Sequence, residues 1–458
     1  MFIDSHAHLF DRKFESDLDR VLDRAQAAGV ERIVTLGDTL ENCKRAIALT
    51  LRHPMVLAAV GLHPHHAREW NDATEETLRR FTETPRVVAV GEIGLDYHYN
   101  PDTAATQRKI LRRQLALARE LDLPVSIHCR EAYDDLVEDI RAEKAHETGG
   151  VIHCFTGNLD DARQLTELGF YLGVGGTITF PNAEPLRAVV RAIGIDYLVL
   201  ETDSPYLAPQ SKRGRRNEPA YLPFVARALS DLTEHGYRDV ARTSRYNTLR
   251  AFRLSRDLEP QPVYVWEGKI YINLTNNCTN DCEFCYKQGD GILRGIRLAF
   301  TEPPAEDAVL RQLEDESFQH YDTVVFSGMG EPTLRLNELV NLAKVLRARG
   351  KRIIVETNGQ ADLCRKTSAL DELEGVVDTL RVSLNAPDRE SYNALCHPAD
   401  TERAFDAVVD FLKRAKGRFP EVIASTLDLP EIDIASVRAL AERKIGVPLV
   451  VRAFERVQ

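Results

Sequence analysis

The chain has 458 residues, 59 of them basic and 70 acidic, for a net charge of −11. That length is long for one domain and comfortable for two. The acidic balance excludes a protein that coats nucleic acid broadly through charge, but leaves room for a local basic groove.

In chain order, short β-rich runs are predicted at 2–6, 32–37, 56–64, 87–95, 125–129, 151–155, 171–176 and 197–203. Amphipathic stretches such as "QRKILRRQLALARELD", apolar at three- and four-residue spacing, lie between them. Eight such units predict a closed parallel barrel, the TIM-barrel (β/α)8 architecture, over residues 1–255. The strands read as apolar runs, as strands buried on both faces should. Pro260 and Pro262 in a polar context mark a linker at 256–265. The pattern then restarts over 266–458 with six strands, in "YINLTNN", "TVVFSGMG", "RIIVETNG", "TLRVSLNA", "VIASTLD" and "LVVRAFE". Six units predict an open, partial (β/α)6 barrel, so the whole chain is of the α/β class.

The polar residues of the first half fall at one end of its strands. His6 and His8 close strand one, Glu92 strand four, His128 strand five, His153 strand six and Asp203 strand eight. Active sites of barrels are built at those C-terminal ends. Strand alternation points His6 and His8 to the same side. Four imidazoles and two carboxylates converging on one mouth suit one or two divalent cations, and such a pair can activate water against a phosphoryl group. His63 and His65 of "GLHPH" close strand three at the same mouth, where substrate contact and a loop-structural role weigh equally. Lys212, Arg213, Arg215 and Arg216 follow Asp203 and form a short basic patch, a candidate phosphate clamp.

The motifs "DSHAH", "GLHPH", "GEIGLDY", "IHCR", "HCFTG" and "ETDSPYLAP" occur in that order. Together they resemble the TatD family of metal-dependent deoxyribonucleases, within the metal-dependent hydrolase barrels. The resemblance implies His6, His8, Glu92, His128, His153 and Asp203 as ligands of two divalent ions, whether Mg, Mn or Zn. It implies Glu92 and Asp203 as catalytic, with Asp203 the general base. The implied activity is phosphodiester hydrolysis of DNA, single-stranded or at ends, of the 3'–5' exonuclease type.

In the second half, "NNCTNDCEFCYK" holds Cys278, Cys282 and Cys285. Structural zinc prefers four closed ligands, and Cys364, Cys396 or His397 are remote candidates for a fourth. A disulfide leaves an odd thiol. A cubane iron–sulfur cluster on three thiolates leaves one iron open, since such clusters ordinarily take four. Behind the cysteines stand Gly328, Gly330 and Glu331 of "SGMGEP", then "ETNG", then Ser383 and Asn385 of "SLNA". Glycines allow close backbone approach, Glu331 can accept from an ammonium, and Ser383 and Asn385 can bond a ribose or carboxylate. This constellation resembles the radical S-adenosylmethionine (SAM) enzymes. The resemblance implies a 4Fe–4S cluster whose open iron takes the amino and carboxylate groups of SAM. It also implies reductive cleavage to a 5'-deoxyadenosyl radical, Phe284 near the adenine, and an electron donor such as flavodoxin or ferredoxin. The expectation is a fused pair of enzymes. Two other readings are a hydrolase of a small amide or ester made by the radical domain, and a radical domain that only regulates. No stretch is apolar for long enough to cross a bilayer, and "MFIDSHAHLF" lacks a signal peptide's regions, so a cytoplasmic location away from membranes is expected.

Overall fold

Eight parallel strands follow one another around the first sheet in chain order. They are β1 (Phe2–Ala7), β2 (Val30–Leu36), β3 (Val56–Val60), β4 (Val87–Asp96), β5 (Val125–Arg130), β6 (Gly150–His153), β7 (Phe170–Val174) and β8 (Leu198–Leu200). This computed structural model describes residues 1–99, 101–254, 259–289, 291–293 and 295–453. The chain divides into two compact units, Met1–Asp257 and Leu258–Gln458.

The first unit is a closed barrel. Its seam forms just beyond the strands, where Asp203 N donates to His6 O (2.9 Å) and His8 N donates to Ser204 O (2.7 Å). Alternate residues of the strands divide between two environments. Val34, Leu36, Leu57, Ala59, Val88, Val151 and Val199 form one apolar cluster. Ile33, Val56, Ala58, Val60, Val90 and Ile152 join the larger core with the surrounding helices. Burial on both faces is why these strands read as apolar runs rather than alternating ones. Helix starts carry their own signals. Thr39 caps Leu40–Arg52, and Asn71 and Asn158 close capping boxes with Thr74 and Asp161.

Among the expected strand ends that move, β8 stops at Leu200 rather than 203. β3 stops at Val60, and Pro64–Glu69 is a short 3-10 helix, which suits Pro64 at its first position. β4 runs on to Asp96, so Glu92 lies within the strand rather than at its end.

The second unit is an open, curled sheet. Its strands are β9 (Val263–Trp266), β10 (Lys269–Ile272), β13 (Thr323–Phe326), β14 (Arg352–Thr357), β15 (Thr379–Ser383), β16 (Glu421–Asp428) and β17 (Leu449–Ala453). A two-stranded hairpin of β11 (Ile292–Leu293) and β12 (Ile296–Arg297) forms a separate small sheet that shares a buried cluster with Tyr264. The sheet order is β17-β16-β15-β14-β13-β10-β9, with β9 and β17 at its two edges. The six strands from β10 to β17 pair in parallel, giving the partial barrel expected. β9 is an addition. It pairs antiparallel with β10, and Tyr264 stacks on Tyr271 with centroids 5.4 Å apart. The linker expected over 256–265 therefore includes strand residues at its far end, while 255–258 lie outside the described residues. β10 also ends earlier than expected, at Ile272. Asn273 turns its side chain to donate to Leu298 O (2.8 Å), leaving 273–285 as loop.

Candidate metal centre and cluster loop

β1 carries His6, and His8 stands one residue past its end. His8 is oriented by Nδ1, 3.2 Å from Leu36 O on β2. Glu92 sits where the β4–β5 register slips, between Val90 and Ile93. Gly91 and Gly94 permit this, since a Cβ on Gly91 would meet Ser126 O at 2.8 Å. Gly94 has φ +149°, and a Cβ there would meet His128 O at 1.9 Å. β4 thus presses onto β5 and sets Glu92 beside His128. Asp203 lies three residues beyond β8, on the barrel seam.

The two oxygens of Glu92 face different partners. Oε2 lies 3.6 Å from His6 Nε2 and 3.7 Å from His8 Nε2. Asp203 Oδ1 completes that side, 3.3 Å from His8 Nε2 and 3.9 Å from His6 Nε2. Oε1 lies 3.2 Å from His153 Nε2, 3.3 Å from His128 Nδ1 and 3.5 Å from His63 Nε2. The six residues expected at the mouth are therefore brought together, and His63 joins them. The Nε2 atoms of His6 and His8 face each other at 3.3 Å. The donor atoms of His6, His8 and Asp203 lie within 4.8 Å of one another, as do those of His63, Glu92 and His128. Nitrogen and carboxylate donors converging in this way fit a pair of divalent cations.

Charge is distributed accordingly. Burial disfavours an ionised Glu92, but His63, His6 and His153 outweigh it and hold the carboxyl well below the usual range. Burial likewise opposes a charged His8, yet Asp203 and Glu92 hold its pKa up to about 9. Burial wins at His63, pushed down to about 4. Three supporting carboxylates escaped the sequence reading. Asp96 accepts from His128 Nε2 (3.1 Å) and His65 Nε2 (3.0 Å) through Oδ2. Glu201 Oε1 lies 3.4 Å from His153 Nδ1 and accepts from Cys154 N (2.6 Å). Asp4 accepts from Thr202 N (2.9 Å) and Thr202 Oγ1 (2.6 Å), tying β1 to the end of β8. A carboxylate behind a ligating imidazole fixes its ring and tautomer. The signal was present in "GLDY" and "ETD", where an acid ends or directly follows an otherwise apolar strand.

The basic loop divides. Arg216 donates to Asp17 (2.7 and 2.8 Å), and its guanidinium lies 4.7 Å from the Phe14 ring centroid. It anchors the loop to the first helix region and is not a free phosphate clamp. Arg213 lies over Phe180 (4.5 Å), and Lys212 over Phe224 (5.0 Å) and Tyr221 (5.3 Å). Arg213 and Arg215 are exposed.

In the second unit, Cys278, Cys282 and Cys285 lie half-buried on the loop after β10. Asn280 N and Asn358 Nδ2 point at Cys278 Sγ from 3.5 and 3.6 Å, and Cys285 Sγ faces Met329 O (4.0 Å). N–H donors aimed at sulfur are what a thiolate-held cluster uses to balance charge. The helix Arg389–Cys396 pins the loop, with Asp281 N donating to Cys396 O (3.1 Å) and Glu283 N to Leu395 O (3.3 Å). The buried Cys396 thiol faces that of Cys282 in a hydrogen-bonding contact, and this contact together with burial pushes the Cys282 pKa up. Cys364 is exposed, and His397 pairs instead with Glu283 (3.1 Å).

Gly328 and Gly330 are required by close packing. A Cβ on Gly328 would meet Asn273 Oδ1 at 2.2 Å, and one on Gly330 would meet Thr275 O at 2.2 Å and Asn277 O at 2.5 Å. They bring "SGMGEP" against the root of the cysteine loop. Glu331 is placed differently from expectation. It is buried, and its carboxylate already accepts from Thr333 N (3.0 Å), Thr333 Oγ1 (2.6 Å), Thr357 Oγ1 (2.7 Å) and Asn358 N (2.7 Å). It clamps the β13 loop to the end of β14 rather than presenting a free acceptor for an ammonium. Ser383 ends β15, and the buried Asn385 reaches Cys396 Sγ (3.9 Å) through Nδ2. Phe284 packs against the core of this unit. On the sheet itself, Glu356 of β14 pairs with Arg381 of β15 (2.5 Å) and Arg452 of β17 (3.2 Å), and accepts from Ser327 Oγ (2.8 Å).

Residues 3–253 match the family model of TatD-related DNases, and residues 272–443 match that of the radical SAM superfamily. An uncharacterised metal-dependent hydrolase of Bacillus subtilis, YabD, is 38% identical over 255 residues, covering 56% of this chain and 100% of its own length. The 3'-5' ssDNA/RNA exonuclease TatD of Erwinia tasmaniensis is 35% identical over 257 residues, covering 55% of this chain and 99% of its own. Among solved structures, the Escherichia coli TatD homologue YJJV superposes with a TM-score of 0.53 at 35% identity, covering 55% of this chain and 98% of that one. Each of these relatives is accounted for by the first unit.

Proposed function

The chain belongs to the family of TatD-related DNases and carries a radical SAM domain after it; on that premise we propose that its first unit hydrolyses phosphodiester bonds of single-stranded nucleic acid from the 3' end. The observation that carries this reading is the division of Glu92, one oxygen toward His6 and His8 and the other toward His63, His128 and His153. His6, His8 and Asp203 would hold one divalent cation, Mg, Mn or Zn, and His128 and His153 a second, with Glu92 shared. Such a pair supplies Lewis-acid polarisation of the phosphoryl oxygen and a hydroxide near neutral pH. Asp203 is held below the usual carboxylate range against burial by His8 and His153, so it stays ionised and can accept a proton from an attacking water. Its position on the barrel seam, bonded through N–H to His6 O, keeps that carboxylate rigidly beside the imidazoles. His63, His65, Arg213 and Arg215 would line the approach of the substrate phosphates. Similarity to the 3'-5' ssDNA/RNA exonuclease of Erwinia tasmaniensis supports strand type and polarity.

In the second unit, Cys278, Cys282 and Cys285 would hold a 4Fe–4S cluster. That cluster would supply the electron for cleavage of SAM, received from an electron donor such as flavodoxin or ferredoxin. Gly328 and Gly330 shape the loop beside it, Phe284, Ser383 and Asn385 would contact SAM, and Glu331 fixes the loop from behind. A cytoplasmic setting suits thiols that must stay reduced. Among the described residues, no helix is long and apolar enough to cross a membrane.

The test takes purified full-length chain with Mg2+ or Mn2+ and a labelled single-stranded oligonucleotide. Stepwise shortening from the 3' end, abolished by His6→Ala, is expected. An intact oligonucleotide, or cleavage indifferent to His6→Ala, refutes the hydrolytic reading. Anaerobic reduction with SAM should release 5'-deoxyadenosine; its absence from a protein shown to hold iron and sulfide refutes the radical reading.

A further inference from the structure

Three aromatic side chains are strongly exposed among the described residues, Tyr99 (63%), Tyr206 (44%) and Phe224 (39%). Aromatic rings in a barrel ordinarily hide, so a set of exposed ones asks for an occupant. Two of them stand at the metal mouth in matching positions. Tyr99 follows Asp96 by three residues, and its N–H returns to Asp96 Oδ1 (3.0 Å). Tyr206 follows Asp203 by three residues, and its N–H returns to Asp203 O (2.9 Å).

Tyr206 meets the centre directly and Tyr99 through His65. Tyr206 meets His8 edge-on, with centroids 6.0 Å apart. Tyr99 meets His65 edge-on at 5.7 Å, and His65 in turn packs on His63 at 4.4 Å. Tyr206 therefore borders the Oε2 side of Glu92 and Tyr99 the Oε1 side. Topology agrees. Tyr99 follows β4 and Tyr206 follows β8, and strands four apart in a closed eight-stranded barrel lie across from each other. Each ring also has a cation beside it. The Arg130 guanidinium lies 4.8 Å from the Tyr99 centroid, and Lys13 Nζ 4.4 Å from that of Tyr206. The Tyr206 hydroxyl donates to Asp11 Oδ2 (2.7 Å), which fixes that ring's direction.

Exposed rings with cations beside them are the parts from which single-strand nucleic-acid sites are made. Bases in a duplex are already stacked and cannot reach such rings without leaving the helix. We propose that Tyr99 and Tyr206 are stacking platforms for two bases of a single strand, one on either side of the phosphodiester presented to the Glu92 centre. This rests on the hydrolytic reading above and adds what grips the strand. Arg130 and Lys13 would steady the rings and face the flanking phosphates.

The experiment uses the full chain with oligonucleotides, in DNA and RNA versions, carrying 2-aminopurine or an abasic residue at the two positions flanking the cleaved bond. Stacking is worth roughly ten- to a hundredfold per base, so wild type should prefer the base-bearing strand over the abasic one by at least about tenfold in kcat/KM. Tyr99→Ala should bring that ratio near one at one flanking position, and Tyr206→Ala at the other, with Tyr→Phe at each restoring it. Quenching of 2-aminopurine emission on binding should be lost in the same position-specific way. Equal ratios and equal quenching in wild type and both alanine variants overturn the proposal. A small aryl phosphodiester run alongside separates the two readings: its cleavage with unchanged ratios sinks the platforms alone, while no cleavage of any substrate sinks hydrolysis. The quenching measurement needs no turnover and decides the platforms either way.

Discussion

Replacing Glu92 by glutamine tests whether one side chain holds both halves of the metal centre. The change keeps shape and removes the charge that faces five imidazoles at 3.2–3.7 Å. At such distances two unit charges interact by roughly 4–5 kcal/mol at an effective dielectric of about 20. If a third of that survives desolvation, a unit charge loses about 1.5 kcal/mol, or about tenfold in affinity, and a divalent ion up to about twice that in free energy, or about a hundredfold. Glu92→Gln should therefore weaken both sites by roughly ten- to a hundredfold. The assay is Mn2+ titration by calorimetry, with metal content measured after dialysis at fixed free ion. The thermal stabilisation given by saturating metal should shrink in step, since it scales with the logarithm of ligand over Kd. If only one ion is weakened, Glu92 belongs to one site and is not shared. If neither is weakened, the reading of this centre is wrong.

Three further outcomes concern the second unit. Glu356→Gln removes the charge of the half-buried partner of Arg381 and should cost about 3 kcal/mol in urea unfolding of the metal-free chain. Burial opposes an ionised Glu356, but Arg452 and Arg381 hold its pKa below the usual range. Its stabilisation is thus present above the unfolded pKa of about 4.3 and lost as pH falls below it, so the gap between wild type and variant should close on acidification; a gap that widens contradicts the pairing. Combined Cys278, Cys282 and Cys285→Ala substitution should abolish iron and sulfide, whereas Cys396→Ser should retain both and still release 5'-deoxyadenosine. Iron loss in Cys396→Ser would make that thiol a fourth ligand and close the position meant for SAM. Gly330→Ala would drive a methyl group to 2.2 Å from Thr275 O, so cluster content after reconstitution should fall at least about tenfold, checked by absorbance and iron analysis.

Much of the site was legible because barrels put function at strand ends. His6, His8, His128 and His153 are polar residues terminating apolar runs, and that placement alone brings them to one mouth. Cys278, Cys282 and Cys285 were legible from spacing within one loop. What escaped depends on partners far away in the chain. Asp96 reads as part of "GLDY" until His65 and His128 are folded around it. Cys396 lies more than a hundred residues from the loop it touches, and Glu356 announces nothing until β15 and β17 bring arginines to it. Arg216 belonged by composition to a basic patch, and only Asp17, 199 positions earlier, removes it. β9 went unseen because Pro260 and Pro262 mark a break, and the strand begins immediately after them.

The seam that closes the first barrel has a kinetic meaning. His6 and His8 are made nearly two hundred residues before Asp203 and the Thr202 that bonds Asp4 across 198 positions. His6 and His8, two of the six expected ligands, therefore lack Asp203 until almost the whole unit has left the ribosome. Joining its two ends pays the largest loop-closure cost in that unit, which slows folding rather than weakening the product. A nascent chain halted before Asp203 would lack the residues that complete one cation site and the partners that hold β1 in place. Capacity to capture metal at that site would thus arrive last, as a report that the barrel has closed.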